Sequence, residues 1–118
     1  LFDGKFILLA EDGENLRSKI KPIANIVSGK FWLNNHAHIF KTKIGFNMEY
    51  LCYYLNNIDI SGYITGTTQP KLNQSNMNNI DIILPSKKNQ DKIGNILYTI
   101  NKKIELNNQT NDNLYYII

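Results

Sequence analysis

The sequence predicts an α+β fold: a small, mainly antiparallel sheet with short helices, followed by a long C-terminal coiled-coil helix. Three observations carry this. Short apolar runs in the first part of the chain are bounded by Gly, Asn and Asp turn signals at strand-like lengths. A single amphipathic stripe opens at Asn47. After Pro85-Ser86 the apolar positions step by fours and threes to the end of the chain, with only Gly94 to interrupt a helix. At 118 residues the chain allows one domain and little more, against a prior of roughly 100–200 residues per domain.

Phe6 to Leu9 reads as a short buried strand ending in Glu11-Asp12-Gly13-Glu14-Asn15, where Gly after Asp signals a turn. Ile23 to Val27 and Lys30 to Leu33 flank Ser28-Gly29, so a hairpin with its turn on the glycine is expected. Past a turn at Asn34-Asn35, His36 to Lys41 forms a third strand. Its period of two puts His36, His38 and Phe40 on one face, with Ala37 and Ile39 on the other. Trp32 is expected in the core. Asn47 caps a helix in which Met48, Leu51, Cys52 and Leu55 make one core-facing stripe. Gly62 to Asn73 is a polar, Gly- and Pro-containing loop, the make of a binding segment. Ile80 to Leu84 reads as a strand closed by Pro85, which has no N–H to give a ladder.

The C-terminal seam runs Ile93, Leu97, Ile100, Ile104, Asn107, Asn111, Leu114, Ile118. At a rise of ~1.5 Å per residue, Lys88 to Ile118 reaches about 45 Å, too far to lie across so small a domain. The helix should project and pair with a partner helix, and the two seam asparagines weaken the contact while fixing its register. The competing expectation is a helix that frays after Lys103. Residues 1–86 are then the globular part and 87–118 the spacer or dimerisation helix.

The net charge is only +3, but its placement is uneven. No Asp or Glu occurs from Asn15 to Met48, where Arg17, Lys19, Lys21, Lys30, Lys41 and Lys43 lie, nor from Ile60 to Ile80, which contains Lys71. Such segregation suits a polyanion, because Lys and Arg contacts to phosphate drive nucleic-acid affinity through counterion release. The plainer explanation is a mildly basic surface in a biased composition: Lys outnumbers Arg 12 to 1, and Asn and Ile each occur 18 times. The lone Cys52 excludes an internal disulfide framework and fits a reducing, cytoplasmic compartment. No apolar run approaches the ~18 residues that cross a bilayer, so no membrane partner is expected. Leu1-Phe2-Asp3-Gly4 lacks a secretory signal and an initiator Met, and reads as the interior of a longer chain.

Chemistry is hard to build from these residues. His36 and His38 share a strand face, but no third metal ligand stands at a fitting spacing. Asp3, Asp12 and Glu14 have neither a nucleophile nor a base to pair with. Gly-x-Gly-x-x-Gly, Gly-x-x-x-x-Gly-Lys-Ser/Thr and Gly-x-Ser-x-Gly are all missing. Catalysis is not expected.

Five segments in order do resemble a known family. Asp12-Gly13-Glu14-Asn15, Gly29 to His38, Gly66-Thr67-Thr68-Gln69-Pro70-Lys71-Leu72-Asn73, Ile80 to Pro85, and the helix opened by Asn89-Gln90-Asp91-Lys92-Ile93 together resemble the specificity subunit of type I restriction-modification systems. The match covers the later part of one target-recognition domain and its spacer helix, with Asn89 where the family often has Glu. The resemblance implies a non-catalytic subunit that binds double-stranded DNA. Methyltransferase subunits alongside it methylate adenine and a restriction subunit can join, so S-adenosylmethionine and ATP belong to those partners and no cofactor to this chain. It also implies a second recognition domain, or a homodimer partner, joined through the long helix. Residues 1–86 would then be a truncated recognition domain.

On this reading Thr67, Thr68, Gln69 and Lys71 are DNA-proximal, since Gln can both donate to and accept from adenine and Lys can read guanine O6 or N7. Asn15, Arg17, Lys19, Lys41 and Lys43 are expected as phosphate or base contacts. Thr68 and Gln69 have an alternative role in satisfying backbone groups of a fixed turn. Two further readings stay open: a protein-interaction module whose long helix is the active part, and the specificity domain of a fused type II restriction enzyme.

Overall fold

A computed structural model describes residues 1–33 and 36–117, with side chains described as far as Thr110. The chain runs β1 (Phe2–Ala10), α1 (Asn15–Ser18), β2 (Ala24–Phe31), β3 (Ala37–Phe40), α2 (Met48–Asn57), a 3-10 turn (Ser61–Tyr63), α3 (Gln74–Asn78) and α4 (Lys87–Ile117). The strands form one antiparallel sheet in the order β2-β1-β3. The class is therefore α+β, with a small sheet, short helices and a long C-terminal helix.

β1 extends well beyond Phe6–Leu9 because Asp3-Gly4 is not a turn. Gly4 pairs directly with Gly29 across the ladder, both at positive φ (130° and 96°). This corrects the expected hairpin at Ser28-Gly29: β2 runs straight through it, and the facing glycines absorb a distortion that side chains would resist. Phe2, Phe6 and Phe31 flank the glycine pair with ring centroids 5.7–5.8 Å apart, holding the register to the strand ends. Trp32 lies one residue past the last paired position and is 79% exposed instead of buried, since nothing continues the sheet over it. The Asn34-Asn35 turn lies outside the described residues.

The inner sheet face supplies Ile7, Leu9 and Ala24 to a core completed by Leu16, Ile23, Leu51, Leu55, Ile60 and Leu72. Each full burial of a Leu or Ile contributes about 1.5–3 kcal/mol. Phe40 packs against this core, as the strand alternation requires. α2 follows the sequence pattern closely. Asn47 accepts the Tyr50 N–H at 2.9 Å as N-cap, Leu51 and Leu55 are buried, and Met48 and Cys52 pack beside them.

The strand expected at Ile80–Leu84 does not form. α3, capped by Asn73 through Asn76 N at 2.8 Å, occupies the segment before it. Tyrosine hydroxyls then take amides that a ladder would have used: Asp81 N to Tyr63 Oη at 3.4 Å and Ile83 N to Tyr54 Oη at 3.1 Å. Ile83 is left 83% exposed.

α4 continues past Lys103, so the fraying expectation is also corrected. A polar joint fastens its first turns to α2. Gln90, 2% exposed, accepts from Asn47 N at 2.9 Å and donates to Pro85 O at 2.9 Å and Gly45 O at 3.4 Å. Asn47 Nδ2 reaches Asp91 Oδ1 at 3.0 Å, so one side chain caps α2 and holds α4. Gly94 permits the approach, since a Cβ there would lie 2.8 Å from Asn47 Cγ. Beyond Leu97 the described side chains are exposed. No helix among the described residues is long and apolar enough to cross a membrane.

Candidate nucleic-acid interface

The polar loop is a built structure. Thr65 and Lys71 exchange backbone hydrogen bonds at 2.9 and 2.8 Å and close a tip of Gly66-Thr67-Thr68-Gln69-Pro70. Below the tip, Gly13 N bonds Pro70 O at 3.0 Å and Leu72 N bonds Glu11 O at 2.7 Å, so the 70–72 limb extends the end of β1. His38 Nε2 stands 2.6 Å from Leu72 O. Pro70 and Leu72 are buried while Gln69 and Lys71 between and beside them are exposed. Gly66, at φ +88°, could not carry a Cβ without meeting the Gln69 carbonyl carbon at 3.2 Å. Thr67, Thr68 and Gln69 are thereby presented to solvent on a fixed turn.

α1 stands beside this loop. Leu16 is buried in the core, and the exposed Arg17 next to it donates to the carbonyls of Gly66 and Thr67, the latter at 3.1 Å. Asn15 bonds both backbone groups of Lys21, at 2.7 and 2.9 Å, and so closes the turn in which Lys19 adopts φ 50°. Lys19 donates to Ile58 O. All three residues expected at DNA thus engage protein backbone. Lys41 and Lys43 lie at the opposite end of β3, with Lys41 Nζ 4.8 Å from the Phe6 ring centroid. From Phe6 to Glu11, where the loop attaches, the strand covers about 17 Å at roughly 3.4 Å per residue. The nine expected contacts therefore fall into two groups at the two ends of the sheet.

Acid-free windows in sequence are not acid-free in space. Asp12 forms an isolated bridge with Lys71, and its carboxylate lies 2.9 Å from His36 Nδ1. Asp59, beside Lys19, is held below the usual carboxylate range, chiefly by the Ser61 backbone N–H. The loop end is therefore mixed in charge. His36 and His38, weighed as metal ligands on their shared strand face, contact Asp12 and the loop base, and Gln90 is the buried centre of the helix joint. Neither role has a sufficient local signal: apart from Pro85, five residues before Gln90, the partners Asp12, Leu72, Gly45 and Asn47 lie 24 to 45 residues away. Cys52 is no candidate nucleophile: burial, with Glu49 nearby, pushes its thiol up to about 11.

The family described as the type I restriction modification DNA specificity domain matches residues 1–116. The chain belongs to this family. A curated protein of Haemophilus influenzae described as a type I restriction enzyme specificity subunit is 33% identical over 95 residues, covering 80% of this chain and 24% of that protein. This specificity domain thus spans about a quarter of that relative's length. No solved structure matches it.

In this specificity domain α4 carries two adjoining faces. Gln90, Gly94 and Leu97 turn toward the body of the domain. About 70° around the helix, at 3.6 residues per turn, Ile93, Ile100 and Ile104 are 39%, 49% and 52% exposed. Leu97, half-buried, lies at the edge of the body-facing side nearest the stripe, and Asn107 is exposed with the stripe. The expected seam positions Asn111, Leu114 and Ile118 lie outside the described side chains.

Proposed function

We propose that this domain reads double-stranded DNA within the specificity subunit of a type I restriction-modification complex and has no catalytic step of its own. Partner methyltransferase and restriction subunits would carry out adenine methylation and cleavage, binding S-adenosylmethionine and ATP themselves. The observation that carries this, beside family membership, is the fixed polar tip: three exposed hydrogen-bonding side chains on a turn pinned from three directions. Thr67, Thr68 and Gln69 address base edges, with the Gln69 amide suited to adenine N6 and N7. Lys71 sits at the rim of the tip. Lys41 and Lys43, at the other end of the sheet, address phosphates away from the bases that the tip reads. Residues 1–86 serve recognition, and 87–118 act as the spacer through which a second recognition domain, or a second copy, is joined along the isoleucine stripe.

The test uses the full-length subunit assembled with its methyltransferase partners, on duplexes enriched from a random pool. Binding to the enriched duplex should fall steeply with salt. Lys41→Ala with Lys43→Ala should shallow the log–log slope by about 0.9 per lost contact and leave the preferred sequence unchanged. Salt-independent binding, or no enrichment at all, overturns the reading. The exposed isoleucine stripe favours a second reading, in which α4 is the functional element and residues 1–86 a scaffold; complexes that assemble through α4 but enrich no duplex would decide for it.

A further inference from the structure

We infer that Arg17 is a positioning residue for sequence discrimination, acting through the loop tip and not by touching phosphate. The inference rests on the DNA-reading role proposed above. The two limbs of the loop are held differently. The 70–72 limb is tied to the extension of β1 through Glu11 and Gly13 and to β3 through His38. Among the described residues, the 66–68 limb takes its hydrogen bonds from Arg17. A guanidinium is a rigid fork, and here its two terminal nitrogens engage two consecutive carbonyls, Gly66 O and Thr67 O. Fixing two successive peptide planes fixes the backbone from which Thr67 and Thr68 project. Gly66, at φ +88°, supplies the backbone conformation that this clamp holds.

Arg17 also has a firm base. Its neighbour Leu16 is 1% exposed, and the Asn15–Lys21 bonds lock the turn on its other side. The guanidinium of Arg17 is therefore already engaged, by the two carbonyls of the loop tip. Lysine at this position would preserve the charge but not the fork, which separates clamp from phosphate contact.

The experiment compares wild type, Arg17→Lys, Arg17→Gln and Gly66→Ala, each in the full-length subunit with its methyltransferase partners. Affinity is measured for the enriched duplex and for a scrambled duplex over a salt series. Arg17→Lys should lose about tenfold or more in the ratio of the two affinities, the scale of one good base contact, with its salt slope unchanged. Gly66→Ala disturbs the same limb without altering charge and should show the same loss. Thermal unfolding near the wild-type midpoint in Arg17→Lys, an exposed site, separates this from misfolding. Arg17→Lys discrimination within about twofold of wild type, with Arg17→Gln alone impaired and its slope shallower by about 0.9, marks a direct phosphate contact and overturns the inference. A wild type that does not discriminate overturns the parent reading together with it, whereas a discriminating wild type matched by Arg17→Lys overturns this inference alone.

Discussion

Gln90→Leu should loosen the seat of α4 by an amount that can be worked from its contacts. The side chain is 2% exposed and serves Asn47 N, Pro85 O and Gly45 O at 2.9, 2.9 and 3.4 Å. Gly45 is exposed and its carbonyl can turn to water. The other two groups lose their partner, at about 1–3 kcal/mol each. Leucine recovers part of this by apolar burial, itself about 1.5–3 kcal/mol at most. A net loss of about 2–3 kcal/mol lowers Tm by about 8–12 °C, at roughly 4 °C per kcal/mol for a chain of this size. Gln90→Glu is the informative companion. It keeps an acceptor for Asn47 N, but when ionised it sets a charge against two carbonyls, so burial and those carbonyls raise its folded pKa above the unfolded value of about 4.3. A raised pKa gives stability that is present below the unfolded value and lost as pH rises through the folded one. Differential scanning fluorimetry between about pH 4.5 and 7.5 should therefore show Gln90→Glu approaching wild type in acid and falling away toward neutrality, while Gln90→Leu stays low throughout. A Gln90→Leu midpoint within about 2 °C of wild type, or a Gln90→Glu curve parallel to it, would refute the role given to this joint.

Ile100→Lys with Ile104→Lys should leave the domain's own Tm within about 2 °C, as both sites are half exposed, while abolishing self-association or subunit pairing in sedimentation velocity; an unchanged assembly state would remove the stripe as an interface. Asp91 is held below the usual carboxylate range first by Lys87 and then by Asn47. Its depressed pKa means that its contribution is present above the unfolded value of about 3.9 and disappears as pH falls through the folded value. The Tm gap between wild type and Asp91→Asn should close in that acid window, and a gap independent of pH would show that the carboxylate is not what binds α4 to α2.

α2 and α4 were legible in sequence because their signals are local: Asn47 beside its own helix, apolar residues at i, i+3, i+4 and i+7, and an uninterrupted run after Pro85. The strands were less so. Asp3-Gly4 and Ser28-Gly29 look like turn pairs, and only cross-strand pairing reveals that they face each other in one ladder. Ile80–Leu84 has strand composition but no neighbouring edge, so its amides go to Tyr54 and Tyr63. The loop was legible as a loop. What holds it was not, since Arg17 and Thr67 are 50 residues apart in sequence. Nor could the charge windows show that the backbone of Asp12 bridges to Lys71 and so brings an acidic residue beside one of them.

The loop tip and α4 are joined by a continuous chain of fixed contacts. The loop is hydrogen-bonded to the extension of β1, β1 packs into the core with α2, and Lys5 on β1 meets Glu49 on α2 at 2.6 Å. α2 then holds α4 through Asn47, Gln90 and Gly94. An apolar helix contact could slide by a turn at small cost, whereas a buried amide with three directed partners is satisfied in one arrangement only. If the tip reads bases and the isoleucine stripe binds a second recognition unit, the distance between two half-sites depends on the angle at this joint as much as on helix length. A spacer works as a ruler only when it cannot swivel at its root, and in this domain the root is a polar, geometrically exclusive contact.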